Sequence, residues 1–289
     1  MFDSLLQYQF LQNAVISAIL ASIACGIIGS IIIEKRLVMM SGGIAHTAFG
    51  GIGLGYFLGI EPIIGALFIT IFAAMGIATI KRKTTMNTDI PIGIFWAAGM
   101  SLGILFIALT SGYPPDMTTY LFGDILTVSR NNLYIITLLD AVVIFAVAAL
   151  YHQLKAYLFD EEFSTVIGIK TTLIEYLLFI LIALTVVVVI HVIGIILIMA
   201  LLTAPPAIAK LFTNNLKKLM LTSSLLGIFF TLTGLWISYT LNIPSGAAIA
   251  LFISLVYGMV SIIKVIMERK VKSQQLRTQD NDLIDKPLP

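Results

Sequence analysis

Residues 172–210 read TLIEYLLFILIALTVVVVIHVIGIILIMALLTAPPAIAK, an apolar run in which only Glu175 and Lys210 are charged. A helix rises about 1.5 Å per residue, so about 20 apolar residues cross the hydrocarbon core of a membrane. The run is about twice that length. We therefore divide it between His191 and Gly194 and predict two membrane spans, whereas one kinked helix would give a single span.

The same count over the whole chain predicts about nine transmembrane helices, or eight if that run is one kinked helix. Of the 289 residues, 59% are apolar and 11% are charged, whereas a soluble domain has about 25% charged residues. Lipid must solvate most of this surface, and we predict an all-α integral membrane protein, a polytopic helical bundle. The predicted spans lie near 13–33, 37–60, 62–80, 91–110, 132–150, 172–190, 192–210, 219–241 and 243–263.

Basic residues indicate how the bundle is oriented. They occur in alternate connections, at 34–36, 81–83, 155–170, 210–218 and from 264 onward. The connections between those contain Glu61, 111–131, His191 and Asn242, and their only basic residue is Arg130. Basic connections face the cytoplasm. The sequence thus predicts an outer N-terminus and a cytoplasmic C-terminus in a multi-pass protein of the cell membrane.

The chain divides into a membrane domain and two short ends. We expect residues 1–12 to form an outer segment, 13–268 the transmembrane domain, and 269–289 a polar cytoplasmic tail without fixed structure. The sequence has no GxxxxGK(S/T) phosphate-binding loop. If ATP drives this protein, a separate subunit binds it. A net charge of +2 gives no indication of a nucleic-acid partner.

Ionisable side chains inside membrane spans are costly and by default mark functional sites. His46 follows Arg36 by ten residues, which places it about 15 Å into the second span. A neutral imidazole there is an available ligand for a transition metal, and Ser41 and Thr47 are weak oxygen neighbours. The alternative is a histidine hydrogen-bonded to a neighbouring helix, and the residues alone favour neither.

Asp140 lies in the middle of the span LYIITLLDAVVIFAVAAL. A carboxylate at that depth must be paired, hydrated or protonated. It could serve a cation path, act as a structural hydrogen-bond partner, or face a subunit interface. His191, at an outer turn, and His152, at the inner end of a span, are interpreted as interfacial residues.

The cytoplasmic connection YHQLKAYLFDEEFSTVIGIKT predicts a short amphipathic helix near 157–169, here called the docking segment. Two aromatic residues four positions apart share one face of a helix, an acidic run flanks them, and a glycine can end the helix. Surface helices that bind anionic lipid are usually basic, so the acidic run favours docking on a protein partner. The residues assigned to this contact are Phe159, Asp160, Glu161, Glu162, Phe163 and Gly168.

Six segments resemble, in the same order, motifs of the zinc/manganese/iron ABC importer permease family. SGGIAHTAFGGIGLGY at 41–56 is similar to the family's second-helix motif, and FDEEFSTVIGI at 159–169 to its cytoplasmic coupling helix. Together the six cover roughly residues 13–265. The other four are TDIPIGIFWAAGMSLG at 88–103, TTYLFGDILTVS at 118–129, VIGIILIMALLTAPPAIAKLF at 192–212 and NIPSGAAIAL at 242–251.

The resemblance implies a homodimeric permease that works with two cytoplasmic ATPase subunits and an extracytoplasmic metal-binding protein. It implies no permanently bound cofactor and no enzymatic activity of this chain itself. It also implies a metal path near the second helix, which in many members carries an aspartate four residues before the histidine. His46 matches that histidine, but Gly42 stands at the aspartate position. Asp89 matches an acidic position common in the family.

The predicted function is therefore import of zinc, manganese or iron by alternating access, with ATP hydrolysed by separate subunits. One alternative is an ATP-independent secondary cation transporter or channel, in which Asp140 would be a proton or sodium site. Another is an ABC permease for a metal chelate or a vitamin. Imidazole suits several divalent metals, so the residues do not select among the three.

Overall fold

The structure, a computed structural model, describes residues 7–84, 87–110, 123 and 125–284, with 270–284 described by their backbone alone. The described residues form eleven α-helices and one 3-10 turn, and the all-α prediction is confirmed. The helices are α1 (Gln9–Glu34), α2 (Val38–Leu58), α3 (Pro62–Lys83), α4 (Asp89–Leu109), α5 (Arg130–Ala149), α6 (Tyr151–Phe159), α7 (Glu161–Val166), α8 (Thr171–Ile193), α9 (Ile195–Lys210), α10 (Leu216–Leu241) and α11 (Ser245–Ile284). The first half of the predicted outer segment and half of the motif at 118–129 lie outside the described residues.

Helices occupy all nine positions at which the sequence predicts spans. Seven of them, α1, α3, α4, α5, α8, α10 and the first part of α11, are long and apolar enough to cross a membrane. Helix α2 is equally long, with 21 residues, but six of them are glycines of low hydropathy. Helix α9 has only 16 residues. The chain is thus a multi-pass membrane protein, while the count of nine crossings and the orientation of the termini stay predictions.

The long apolar run forms two helices rather than one. The break is at Gly194, whose φ of 85° and ψ of 167° favour glycine. At the start of α8, Glu175 pairs with Arg82 at the end of α3. At the end of α9, Lys210 pairs with Glu34 at the end of α1. Lys35 directly after α1 and Arg82 in the last turn of α3 both pair with Glu161, so α1 and α3 end on the same side of the bundle. Helices α8 and α9 therefore run in opposite directions between its two sides.

Burial separates central helices from peripheral ones. In the apolar stretches of α8 and α1, 72% and 67% of the residues are buried, against 17% in α4 and in α11. Helix α2 packs closely on α4 because glycines line the contact. A Cβ placed on Gly99 would lie 2.5 Å from Thr47 Cα, and one on Gly103 would lie 2.7 Å from Phe49 O. This approach holds α4 against the helix that carries His46.

The tail differs from the expectation of no fixed structure, because α11 continues to Ile284. The sequence contains no glycine or proline between Gly258 and Pro287, and lysine, arginine, glutamine and glutamate are favourable helix formers. Nothing therefore stops the helix from extending beyond its membrane span. Residues 285–289 lie outside the described part of the chain.

Candidate metal path and docking segment

His46 lies on α2 and stacks against Trp96 of α4. The two ring centroids are 4.3 Å apart and the ring planes differ by 10°. Nδ1 of His46 is buried and has no hydrogen-bond partner among the described residues. The alternative in which His46 is hydrogen-bonded to a neighbouring helix therefore has no support at Nδ1. In the tautomer that carries its proton on Nε2, Nδ1 offers a lone pair to a cation.

The place of the family's aspartate is filled by other side chains. A Cβ on Gly42 would lie 3.2 Å from Trp96 Cζ3 and 3.2 Å from Met199 Cε. An indole edge and a methyl thioether thus occupy the space one helical turn before His46. Sequence reasoning missed both residues. Trp96 lies in one of the quoted motifs, but an aromatic or a methionine in an apolar span gives no functional signal.

The two hydroxyl neighbours of His46 are bound to the backbone. Ser41 Oγ donates to the carbonyl of Val38 at 2.8 Å. Thr47 Oγ1 bonds to the carbonyl of Gly43 at 2.7 Å and lies 3.1 Å from that of Phe95. Both hydroxyl hydrogens are used in this way, so each hydroxyl has only lone pairs left for a cation.

The acidic candidates lie on other elements. Asp89 is exposed in the first turn of α4, where a carboxylate stabilises the helix dipole. Asp140 on α5 is only 5% exposed, and neither of its oxygens has a hydrogen-bond partner in the described ranges. Its interpretation as a structural hydrogen-bond partner therefore has no partner to support it. Across the residues described, no group of three or more His, Cys, Asp or Glu is placed to hold a metal ion.

The prediction of one helix over 157–169 is wrong, because the docking segment contains a break. Helix α6 ends at Phe159, Asp160 is extended with φ −151° and ψ 110°, and α7 follows. Asp160 Oδ1 accepts a hydrogen bond from the backbone N–H of Phe163 at 2.9 Å, so it caps α7. The cap at Asp160 stabilises the start of a new helix and so replaces continuation of α6. Phe159 and Phe163 consequently belong to different helices and share no helical face.

The prediction that Gly168 ends the helix is confirmed. Its φ is 85°, its N–H donates to the carbonyl of Thr165 at 3.1 Å, and the N–H of Ile169 donates to that of Ser164 at 3.0 Å. This pair of bonds satisfies the last carbonyls of α7 in the way typical of a glycine-terminated helix.

Large apolar side chains are exposed along the docking segment. Phe159 is 94% exposed, Val166 83%, Phe163 58% and Ile167 53%. The segment that carries them lies at the ends of α1 and α3, where Glu161 pairs with Lys35 and Arg82. Several large exposed apolar side chains in one short segment are typical of a site that another protein covers.

The three acids of the docking segment have different surroundings. Asp160 caps α7, and Glu162 is exposed. Glu161 Oε2 lies 3.0 Å from Lys35 Nζ, and its Oε1 lies 3.5 Å from Arg82 Nη2. Burial lowers the pKa of the Lys35 ammonium, and its bond to Glu161 acts in the opposite direction. Only Glu161 among these three acids therefore points from the docking segment into the bundle.

Behind Glu161 lies a second acid that sequence reasoning missed. Glu175 on α8 is fully buried. Its Oε2 lies 2.5 Å from Arg82 Nε. The two atoms form an ion pair, but their geometry does not meet the angles of a hydrogen bond. Its Oε1 is paired with Lys81. Lys35 Nζ also sits 3.6 Å above the ring of the buried Tyr157. The available signal was a lone acid within an apolar span, which is costly unless paired.

Comparison with known proteins identifies the family of this chain. Residues 7–264 match the ABC 3 transport family. The chain is 42% identical over 252 residues to an uncharacterized membrane protein of Synechocystis, covering 87% of this chain and 90% of that one. It is 33% identical over 255 residues to the manganese transport system membrane protein MntC of Listeria monocytogenes, covering 88% and 91%.

A solved structure is similar over nearly the whole chain. PsaBC from Streptococcus pneumoniae, in complex with Fab, superposes with a TM-score of 0.80 at 32% identity, covering 90% of this chain and 93% of that one. The family resemblance carried by the six sequence motifs is therefore confirmed. The chain belongs to the ABC 3 transport family.

Proposed function

We propose that this chain is the membrane subunit of an ABC importer that carries a divalent transition metal ion into the cytoplasm. ATPase subunits on separate chains would drive it by alternating access. The observation that carries the proposal is His46, a membrane-embedded imidazole with a buried, unpartnered nitrogen. It lies in the helix that matches the second-helix motif of the family. Among zinc, manganese and iron we place manganese first, since the Listeria relative bears that name.

The metal ion is the cargo, and the chain would bind and release it without chemistry. Nδ1 of His46 would supply one ligand, and waters would complete the coordination because Gly42 supplies no carboxylate. The stacked ring of Trp96 fixes the plane of the imidazole, so the direction of the Nδ1 lone pair is set before a cation arrives. A weakly coordinating site suits transport, because the ion has to leave as readily as it enters.

The partners follow from the surfaces and the family. The ATPase would cover the exposed aromatic side chains of the docking segment, Phe159 and Phe163. An extracytoplasmic metal-binding protein would deliver the ion at the opposite end. The sparsely buried helices α4 and α11 would face lipid or a second copy of the chain in a homodimer.

The test is transport by the purified complex. The chain is reconstituted in liposomes with its ATPase, and uptake of manganese is measured with ATP, with a non-hydrolysable analogue, and with a protonophore. We expect uptake that requires hydrolysis and resists the protonophore. Uptake without ATP that the protonophore abolishes would support the secondary transporter with Asp140 as its ion site. Uptake of a metal chelate but not of free manganese would support the chelate permease.

His46 is tested in the same liposomes. His46→Ala is expected to abolish manganese uptake while the complex with the ATPase stays intact, because the substitution lies away from the docking segment. His152→Ala is the matched control, since His152 is exposed on α6 and is expected to leave uptake unchanged. Wild-type uptake by His46→Ala would reduce His46 to a packing residue.

A further inference from the structure

Glu161 connects the docking segment to two spans that are distant in sequence. Lys35 stands at the end of α1, and Arg82 in the last turn of α3. Their side chains are only 14% and 24% exposed, whereas that of Glu161 is 37% exposed. Ion pairs partly withdrawn from water are less screened than surface pairs. The two contacts therefore hold α7 against the ends of α1 and α3.

Lys35 lies close in sequence to the beginning of α2, the helix that carries His46. Only Arg36 and Leu37 separate it from α2, and Arg36 has a φ of 57°. The N–H of Leu37 bonds to the carbonyl of Ile32 at 2.9 Å, which fixes this turn. His46 lies eight residues beyond Val38, or about 12 Å along the helix axis. A shift of Lys35 thus displaces the beginning of α2.

The aromatic side chains and the acidic side chain of the docking segment point to different surroundings. The aromatic side chains of Phe159 and Phe163 are open to a partner, while the carboxylate of Glu161 contacts the bundle. A partner that grips the aromatics can therefore move α7 without occupying the ion pairs. Displacement then passes through packed and paired elements, which is the physical basis of coupling between sites.

We propose that Glu161 is a positioning residue of the transport cycle. Through Lys35 and Arg82 it passes movement of the docking segment to the inner ends of α1 and α3. The turn after Lys35 passes it on to α2 and His46. This inference rests on the proposed function, since it presupposes an ATPase that moves the docking segment.

The test is Glu161→Gln, which removes the charge and keeps the shape. The variant is purified with its ATPase and reconstituted, and manganese uptake and ATP hydrolysis are measured together. We expect the ATPase to stay bound and hydrolysis to continue, while manganese carried per ATP falls about tenfold, within the range for residues that carry coupling. Glu34→Gln is the matched control. It breaks the Glu34–Lys210 pair at the same end of the bundle. This variant is expected to transport as much manganese per ATP as the wild type.

A double-mutant cycle distinguishes coupling from support of the fold. If Glu161 acts through Lys35, the double variant Lys35→Gln/Glu161→Gln transports as much manganese per ATP as Glu161→Gln alone, because Glu161→Gln has already removed the contact with Lys35. Additive losses, or loss of folded protein in both single variants, would show a structural role only and overturn the inference. Wild-type liposomes without ATP-dependent uptake would instead refute the proposed function. If the wild type shows ATP-dependent uptake and Glu161→Gln carries as much manganese per ATP as the wild type, the inference is refuted while the proposed function stands.

Discussion

The indole of Trp96 lies parallel to the imidazole of His46, with 4.3 Å between the ring centroids. The same indole approaches the position where a Cβ on Gly42 would stand. A glycine on α2 and a tryptophan on α4 are thus complementary: the space that one leaves is filled by the other. Since the family's aspartate would need that space, the proposed metal path would run beside the aromatic ring instead.

Restoring an aspartate at position 42 tests this complementarity. Gly42→Asp forces a carboxylate against Trp96 and Met199, so we expect the free energy of unfolding to fall by about 1–3 kcal/mol, as in other overpacked cores. The measurement is thermal unfolding of the purified chain in detergent, together with manganese binding by calorimetry.

The matched variant is Gly42→Asp combined with Trp96→Ala, which opens the space. We expect it to bind manganese more tightly than Gly42→Asp alone, because the carboxylate and His46 then lie one helical turn apart and can share an ion. Full stability and tighter metal binding of Gly42→Asp alone would contradict the role given to Trp96.

The exposed aromatics are expected to dominate binding of the ATPase. Phe163→Ala should weaken the complex about a hundredfold, equivalent to about 2.7 kcal/mol, because anchors of this kind contribute most of an interface's affinity. Phe159→Ala should act in the same direction. Binding of the purified ATPase to the reconstituted chain measures the effect.

Phe68→Ala is the control for that experiment, because Phe68 is a comparably exposed phenylalanine, at 68%, but lies within the span α3. It should leave ATPase affinity unchanged. Equal weakening by Phe68→Ala, or none by either docking-segment variant, would show that the ATPase binds elsewhere.

Close packing of α4 on α2 gives a prediction of stability. A Cβ on Gly99 would meet the backbone of Thr47 at 2.5 Å, whereas one on Gly93 in the same helix meets nothing within 4 Å. Gly99→Ala should therefore separate the two helices and lower both thermal stability and manganese uptake. Gly93→Ala should be neutral or slightly stabilising, since alanine favours helix. The same thermal shift for both variants would contradict the packing.

The orientation of the chain can be read from thiol labelling. The native Cys25 is buried, so it should contribute little to the labelling measured for an introduced cysteine. A cysteine at Glu61, between α2 and α3, should react with an impermeant reagent added to intact cells. One at Asn87, between α3 and α4, should react only after permeabilisation. The reverse pattern would invert the topology predicted from the basic connections.

Most of the fold could be predicted from sequence because hydropathy is a local property. A run of apolar residues long enough to cross a membrane predicts a helix wherever it occurs, and helices stand at all nine predicted positions. The docking segment was harder. Its helical periodicity predicted one helix, but the side chain of Asp160 caps α7 and ends α6 before it. Competition between a cap and helix continuation depends on a single rotamer, which periodicity does not reveal.

The sequence by itself determined that the chain is a helical membrane protein, which connections are basic, and that His46 lies in a helix predicted to cross the membrane. Each of these follows from composition and length along one segment. Only the tertiary structure decided that Trp96 stacks on His46, that Glu161 pairs with Lys35, and which acids are buried. These contacts join helices far apart in the chain, and close packing between those helices selects the neighbours. Glycines at 50, 53, 99 and 103 permit that packing, but a glycine in a sequence does not say which helix approaches it.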